Sequence, residues 1–255
     1  REEKELAVLM SKFICVLMIQ TYGADLRIFQ FDPQLTWAAF LMNADKTIYG
    51  RYGTRSRVVH GPAAAAADDK VKDVTVEGFK KALKGALDLH AKHAAVKASL
   101  SGKIGPAPKW ATPETIPALS KYKKGDTSRQ GCIHCHKLHS AELTSLRTLG
   151  QPPQDSQLWV YPMPDAIGLS LDPNEMATVA AVAPGSAAEK SGIKSGDKVV
   201  KLQGQPVLSI ADVQWVLHNA AESAQLKAEI ERAGKSQQLT ITLTPGWRRA
   251  ASFTW

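Results

Sequence analysis

Apolar positions along the chain change period several times, and each change marks an element. Leu6, Leu9 and Met10 recur at helical spacing within a charged opening, which predicts a first helix. Phe13-Ile14-Cys15-Val16-Leu17-Met18-Ile19 is unbroken and strand-length, and predicts a strand over Phe13–Gln20. Leu26–Phe31 and Thr36–Met42 follow as further apolar stretches. Asn43-Ala44-Asp45-Lys46 is a turn by composition, and Thr47–Tyr52 returns as a partner strand. Gly61-Pro62 and the alanines 63–67 punctuate the chain. From Glu77 to Leu100 the period becomes helical again, with Phe79, Leu83, Ala86, Leu87 and His90 on one stripe. Leu143, Leu146 and Leu149 predict a helix over Ser140–Leu149, which Gln151-Pro152-Pro153 ends. Beyond Asp165 the pattern shifts to short strands broken by glycine turns, with one helix over Ser209–Ala220 and a last strand at Leu239–Leu243.

Length and composition change this picture little. A chain of 255 residues has room for one to three domains, and its charged fraction of 22% is that of an ordinary globular protein. The net charge of +8 comes without an arginine-rich helix or an interleaved basic and aromatic block, so nucleic acid is not indicated. The longest apolar run falls far short of the ~20 residues that a membrane-spanning helix needs.

The three cysteines add chemistry. Cys15 lies alone on the predicted first strand and reads as an inert core thiol. Gly131-Cys132-Ile133-His134-Cys135-His136 reads C-x-x-C-H, the attachment pattern of c-type haem. In that reading Cys132 and Cys135 form thioethers to one covalent haem c, and His136 is the proximal iron ligand. Met163, in Tyr161-Pro162-Met163-Pro164, is the candidate sixth ligand on a loop stiffened by prolines. His60 or His93 competes with it, and an open sixth position comes after these. Three other readings stand beside haem. They are a dithiol redox pair, a zinc site using Cys132, Cys135, His136 and His139, and a structural disulfide closing a very short loop. Because haem is attached outside the bacterial cytoplasm, this reading implies a periplasmic or otherwise exported protein whose signal peptide has been removed.

Two stretches resemble known families. Trp37-Ala38-Ala39-Phe40-Leu41-Met42-Asn43-Ala44-Asp45-Lys46-Thr47-Ile48-Tyr49-Gly50-Arg51-Tyr52-Gly53, with the order of elements over residues 1–99, resembles the later part of a thioredoxin fold. That family's catalytic dithiol is missing here, and Thr36 stands nearest its cis-proline position, so the resemblance implies a catalytically silent module. Ala166-Ile167-Gly168-Leu169-Ser170-Leu171, Pro184-Gly185-Ser186-Ala187-Ala188 and Gly192-Ile193-Lys194-Ser195-Gly196-Asp197-Lys198-Val199 resemble a PDZ domain. PDZ domains bind chain ends by strand addition. The resemblance implies a carboxylate loop at Asp165–Gly168 and an edge strand at Leu169–Leu171, with Ala166, Ile167, Gly168, Leu169, Ser170 and Leu171 as peptide contacts. Ile210, Gln214 and Leu217 would be the groove face of the helix. The terminal Phe253-Thr254-Trp255 has the form of such a ligand.

The expected architecture is therefore α+β and multidomain. An incomplete thioredoxin-like α/β part (1–100) precedes a short, mostly helical c-haem segment (101–163). A PDZ-like β-barrel with helices (164–246) and a C-terminal tail (247–255) complete it. The expected function is a monohaem c-type cytochrome for electron transfer or redox sensing. PDZ and thioredoxin-like modules would dock it on protein partners in a larger redox or membrane complex. The alternative is a PDZ-based scaffold or assembly protein whose haem is structural.

Overall fold

The computed structural model describes residues 2–35, 37–55, 57–58, 70–71, 73–122 and 132–250. The chain opens with helix α1 (Glu2–Met10). A hairpin follows, β1 (Ala39–Met42) and β2 (Ile48–Tyr52), in which Ala39 faces Tyr52 and Phe40 faces Arg51. A two-residue pair, β3 (Arg57–Val58) and β4 (Lys70–Val71), precedes α2 (Val76–Ala91). Thr75 caps α2 by accepting the Gly78 N–H at 3.0 Å. The predicted single helix to Leu100 is broken at Lys92, whose ψ of 19° leaves the helical range. A short α3 (His93–Val96) and a 3-10 turn, Lys97–Lys103, take its place.

Next come α4 (His136–Thr148) and α5 (Asp155–Leu158). The last part contains β5 (Leu169–Leu171), β6 (Val179–Val182), α6 (Ala187–Lys190), β7 (Lys198–Leu202), β8 (Gln205–Pro206), α7 (Ile210–Asn219), β9 (Ala224–Arg232) and β10 (Lys235–Leu243). Strands β10-β9-β7-β8 make one antiparallel sheet, and β5-β6 make a separate ribbon. This is a mixed helix and strand fold, and the expected barrel is not closed.

Two further expectations meet corrections. Phe13–Gln20 is not a strand: Ile14 is 95% exposed and Val16 84%, because no strand pairs with this run among the described residues. A strand requires a partner, however suitable its side chains. The thioredoxin-like reading rested partly on that strand; what the described residues form there is a two-stranded hairpin with α2 against it. Thr36, His60 and the terminal tripeptide lie outside the described residues.

One hydrophobic core runs from Leu9 through Leu41, Tyr52 and Leu83 to Trp215, Ile230 and Trp247. It joins the hairpin and α2 to the sheet of the last part. Gly78 makes the approach possible, since a Cβ there would lie 2.3 Å from the Pro173 carbonyl oxygen. A second, smaller cluster gathers Leu26, Ile116, Leu119, Ile133 and Ala141 beside the Cys132–Cys135 loop.

Candidate functional site

The turn Pro164–Ile167 delivers the chain into β5 through Gly168, whose φ of 81° lies in the left-handed region. The Gly168 N–H closes this turn on the Asp165 carbonyl at 2.8 Å. A Cβ on Gly168 would lie 2.1 Å from the Ser186 Cβ, so glycine is required on two counts. Gly168→Ala is expected to lose about 2–4 kcal/mol from left-handed backbone and overpacking together, read as a lower urea midpoint. An unchanged midpoint would mean that the turn tolerates a side chain at this position. Leu169 and Leu171 are buried, Ser170 is half-buried, and Ala166 and Ile167 pack in the core. β5 pairs with β6 along one edge, and among the described residues no strand lies on the other.

Helix α7 is capped by Ser209, whose hydroxyl accepts the Ala211 N–H at 3.1 Å. Ile210, Gln214 and Leu217 follow at i, i+4 and i+7 and so share a face, as the resemblance implies. All three are buried. The occupant of that wall is the chain itself. Gln214 Nε2 donates to the Tyr161 carbonyl at 3.2 Å and lies 3.1 Å from Met163 Sδ, while Thr54 Oγ1 donates to Gln214 Oε1 at 2.6 Å. Arg55 donates to the same Tyr161 carbonyl at 2.6 Å and pairs with buried Asp32. One turn further along, the Tyr161 ring stacks on His218 with centroids 4.1 Å apart. The Tyr161 N–H points at His218 Nδ1 (3.4 Å), which therefore serves as acceptor. Burial, then the charges of Arg248 and Arg51, lower the His218 pKa to about 3 and keep the ring neutral.

The opposite face of α7 is bolted to β2. Lys103 Nζ donates to Asp212 Oδ1 at 2.7 Å with both side chains buried, and the amides of Arg51 and Leu208 also reach that carboxylate. Arg51 lies 3.8 Å over the Trp215 ring and donates to the Lys103 carbonyl at 2.7 Å. Trp215 Nε1 donates to the Gly102 carbonyl at 2.8 Å. Sequence reasoning missed this arrangement. Asp212 and Gln214 were its one visible sign, two polar residues on a helix otherwise apolar through Leu217.

The cysteine motif opens α4. Cys135 immediately precedes α4 and His136 is its first residue, while Cys132 and Cys135 are both half-buried. The His134 and His136 rings stack with centroids 5.5 Å apart. His139 Nε2 donates to the Gln157 carbonyl at 2.7 Å. His93 lies 3.0 Å from the Tyr49 hydroxyl. Arg248 is buried against the His218 and Ala220 carbonyls, and Arg249 pairs with Asp155. Met163 is buried with its sulfur within 3.3 Å of Thr54 Oγ1 and 3.1 Å of Gln214 Nε2, between α7 and the residues that follow β2.

The PDZ domain family profile matches residues 165–243. This segment is a PDZ domain. The chain is similar to a "Probable periplasmic serine endoprotease DegP-like" of Marinomonas sp. (strain MWYL1), 31% identical over 78 residues, 31% of this chain and 17% of that protein. It is similar to the "Periplasmic pH-dependent serine endoprotease DegQ" of Escherichia coli (strain K12), 31% identical over 87 residues, 34% of this chain and 19% of that protein. It also matches the "Regulator of sigma-E protease RseP" of the same organism, 40% identical over 75 residues, 28% of this chain and 16% of that protein. The chain thus spans less than a fifth of the length of each of these relatives.

These findings overturn the cytochrome expectation. The PDZ domain's relatives are proteases and a protease regulator. Among the described residues, no group of three or more His, Cys, Asp or Glu is placed to hold a metal ion. The thioether of Met163 is engaged by Thr54 and Gln214 in the PDZ contact. Covalent haem c on Cys132 and Cys135, iron on His136 and Met163, and the electron-carrier role are withdrawn, as is a structural haem in a scaffold. No described helix is long and apolar enough to cross a membrane.

Proposed function

We propose that this chain is a periplasmic peptide-docking adaptor of protein quality control, which presents a protease or its substrates to one another by holding an extended chain end. The observation that carries this reading is the edge of β5 next to the Gly168 turn. The incoming chain end would lie along β5 on the side away from β6, with its terminal carboxylate beside the Gly168 turn, as PDZ domains add a strand. The peptide contacts would be residues 166–171. The residues on the α7 wall, Ile210, Gln214 and Leu217, would contribute side-chain selectivity only in part, because Thr54 and Tyr161 already engage Gln214. The names of the relatives supply the protease setting and the periplasmic location.

The test is fluorescence polarisation with labelled peptides ending in apolar residues. Each peptide is run with a free carboxylate and as the C-terminal amide. The carboxylate form is expected to bind at least about tenfold more tightly, because the charge-assisted bonds to the turn are lost in the amide. Equal binding of both forms, or none of either, would rule the docking mode out.

A further inference from the structure

We propose that Cys132 and Cys135 form a reversible dithiol–disulfide couple that exchanges with disulfides of other thiol compounds. The proposal is independent of peptide docking and stands on the loop beside the second hydrophobic cluster. Its two thiols are three residues apart, both are half-buried, and Cys135 leads directly into α4. The loop between them is held from its middle. The Ile133 side chain is fully buried among Leu26, Ile116, Leu119 and Ala141. Its carbonyl accepts two bonds from Thr21, from the amide at 3.0 Å and from the hydroxyl at 2.7 Å. On the far side, the His134 and Cys135 carbonyls accept the Lys137 and Leu138 amides at 2.9 and 3.1 Å, starting the helix. The short backbone that joins the two sulfurs is therefore fixed at Ile133 and again where α4 starts, which keeps both thiols on one anchored loop.

A purely structural role fits poorly. A bond across two intervening residues closes too small a loop to remove much freedom from the unfolded chain. Half-exposed disulfides are the labile, exchanging ones. Zinc would need four ligands, and His139 is held by Gln157.

The reaction balances as thiol–disulfide exchange. One sulfur, deprotonated, attacks a disulfide R–S–S–R; one S–S bond breaks, a mixed disulfide forms, and R–S⁻ leaves and takes up a proton. The second sulfur, after losing its own proton, attacks the first and releases the other R–S⁻. Two thiols of the protein are oxidised and one external disulfide is reduced to two thiols.

The test uses the full chain carrying Cys15→Ser, so that the exposed third thiol cannot contribute. The protein is equilibrated with mixtures of glutathione and glutathione disulfide, quenched in acid, and read by intact mass with and without maleimide labelling. Both thiols are expected to disappear together in a single transition, leaving a species two hydrogens lighter than the reduced chain. Adding Cys132→Ser or Cys135→Ser should leave a mixed disulfide with glutathione that persists at least about tenfold longer than in the parent. Thiols that stay reduced throughout, that react independently, or that carry a covalent group resisting reduction would each overturn the proposal.

Discussion

Asp212→Ala is expected to lower folding stability by about 3–5 kcal/mol, the cost of stranding a buried charge. The side chain stands at the contact of three segments. It receives the Lys103 ammonium at 2.7 Å and the Leu208 amide at 2.9 Å, with the Arg51 amide at 3.2 Å. Burial already pushes the Lys103 pKa down, with Asp212 as the opposing influence, so removing the carboxylate leaves an ammonium with its desolvation uncompensated. Two further variants separate charge from shape. Asp212→Asn keeps an acceptor for the two amides but removes the charge, and is expected to recover only part of the loss. Lys103→Met added to Asp212→Ala removes both charges and is expected to be less damaging than Asp212→Ala alone. Urea unfolding of the four proteins checks this. A single variant within about 0.5 kcal/mol of the parent would mean that the pair does not fasten β2 to α7.

The second large effect is in pH. The difference in stability between the parent and His218→Gln is expected to change by up to about 5 kcal/mol between pH 7 and pH 3. In the unfolded chain this histidine takes up its proton near 6.5, whereas in the folded protein it does so only near 3. Between those values the unfolded state binds more protons. The stabilisation is therefore complete above 6.5 and is lost as pH falls toward 3. Glutamine keeps an acceptor for the Tyr161 amide and has no such slope.

Glu142 tilts the other way. Burial raises its pKa to about 7, so the folded state holds the extra proton. Its contribution is complete below the unfolded value of 4.5 and is lost as pH rises through 7. Relative to Glu142→Gln, the parent should thus lose up to about 3 kcal/mol of stability between pH 4.5 and pH 7. Urea midpoints at half-unit steps for the three proteins read both slopes, and parallel curves would refute them.

What could be read from the sequence was whatever depends on near neighbours. The PDZ part was legible because its signals are turns and caps. Ser186 accepts the Glu189 amide at 3.2 Å, and Asp197 accepts the Lys194 amide at 2.8 Å, contacts within three residues. The face shared by Ile210, Gln214 and Leu217 followed from helical spacing alone. What covers it did not, because Thr54 is 160 residues away from Gln214. Phe13–Ile19 had the composition of a strand, but pairing is a property of two segments. The cysteine motif shows the same limit. Its spacing named a chemistry, while the fate of Met163 was decided by Gln214 and Thr54, which no local pattern connects to it.

The anchoring of Trp215 has a consequence for anyone who would cut this protein down. A fragment starting at residue 164 would carry the whole PDZ match, yet it would lose Gly102, Lys103 and Arg51 together. The indole would then face water, and Asp212 would lack its counter-charge. Excision at the family boundary therefore yields a sticky, weakened piece, and this PDZ domain travels only with the residues that precede it.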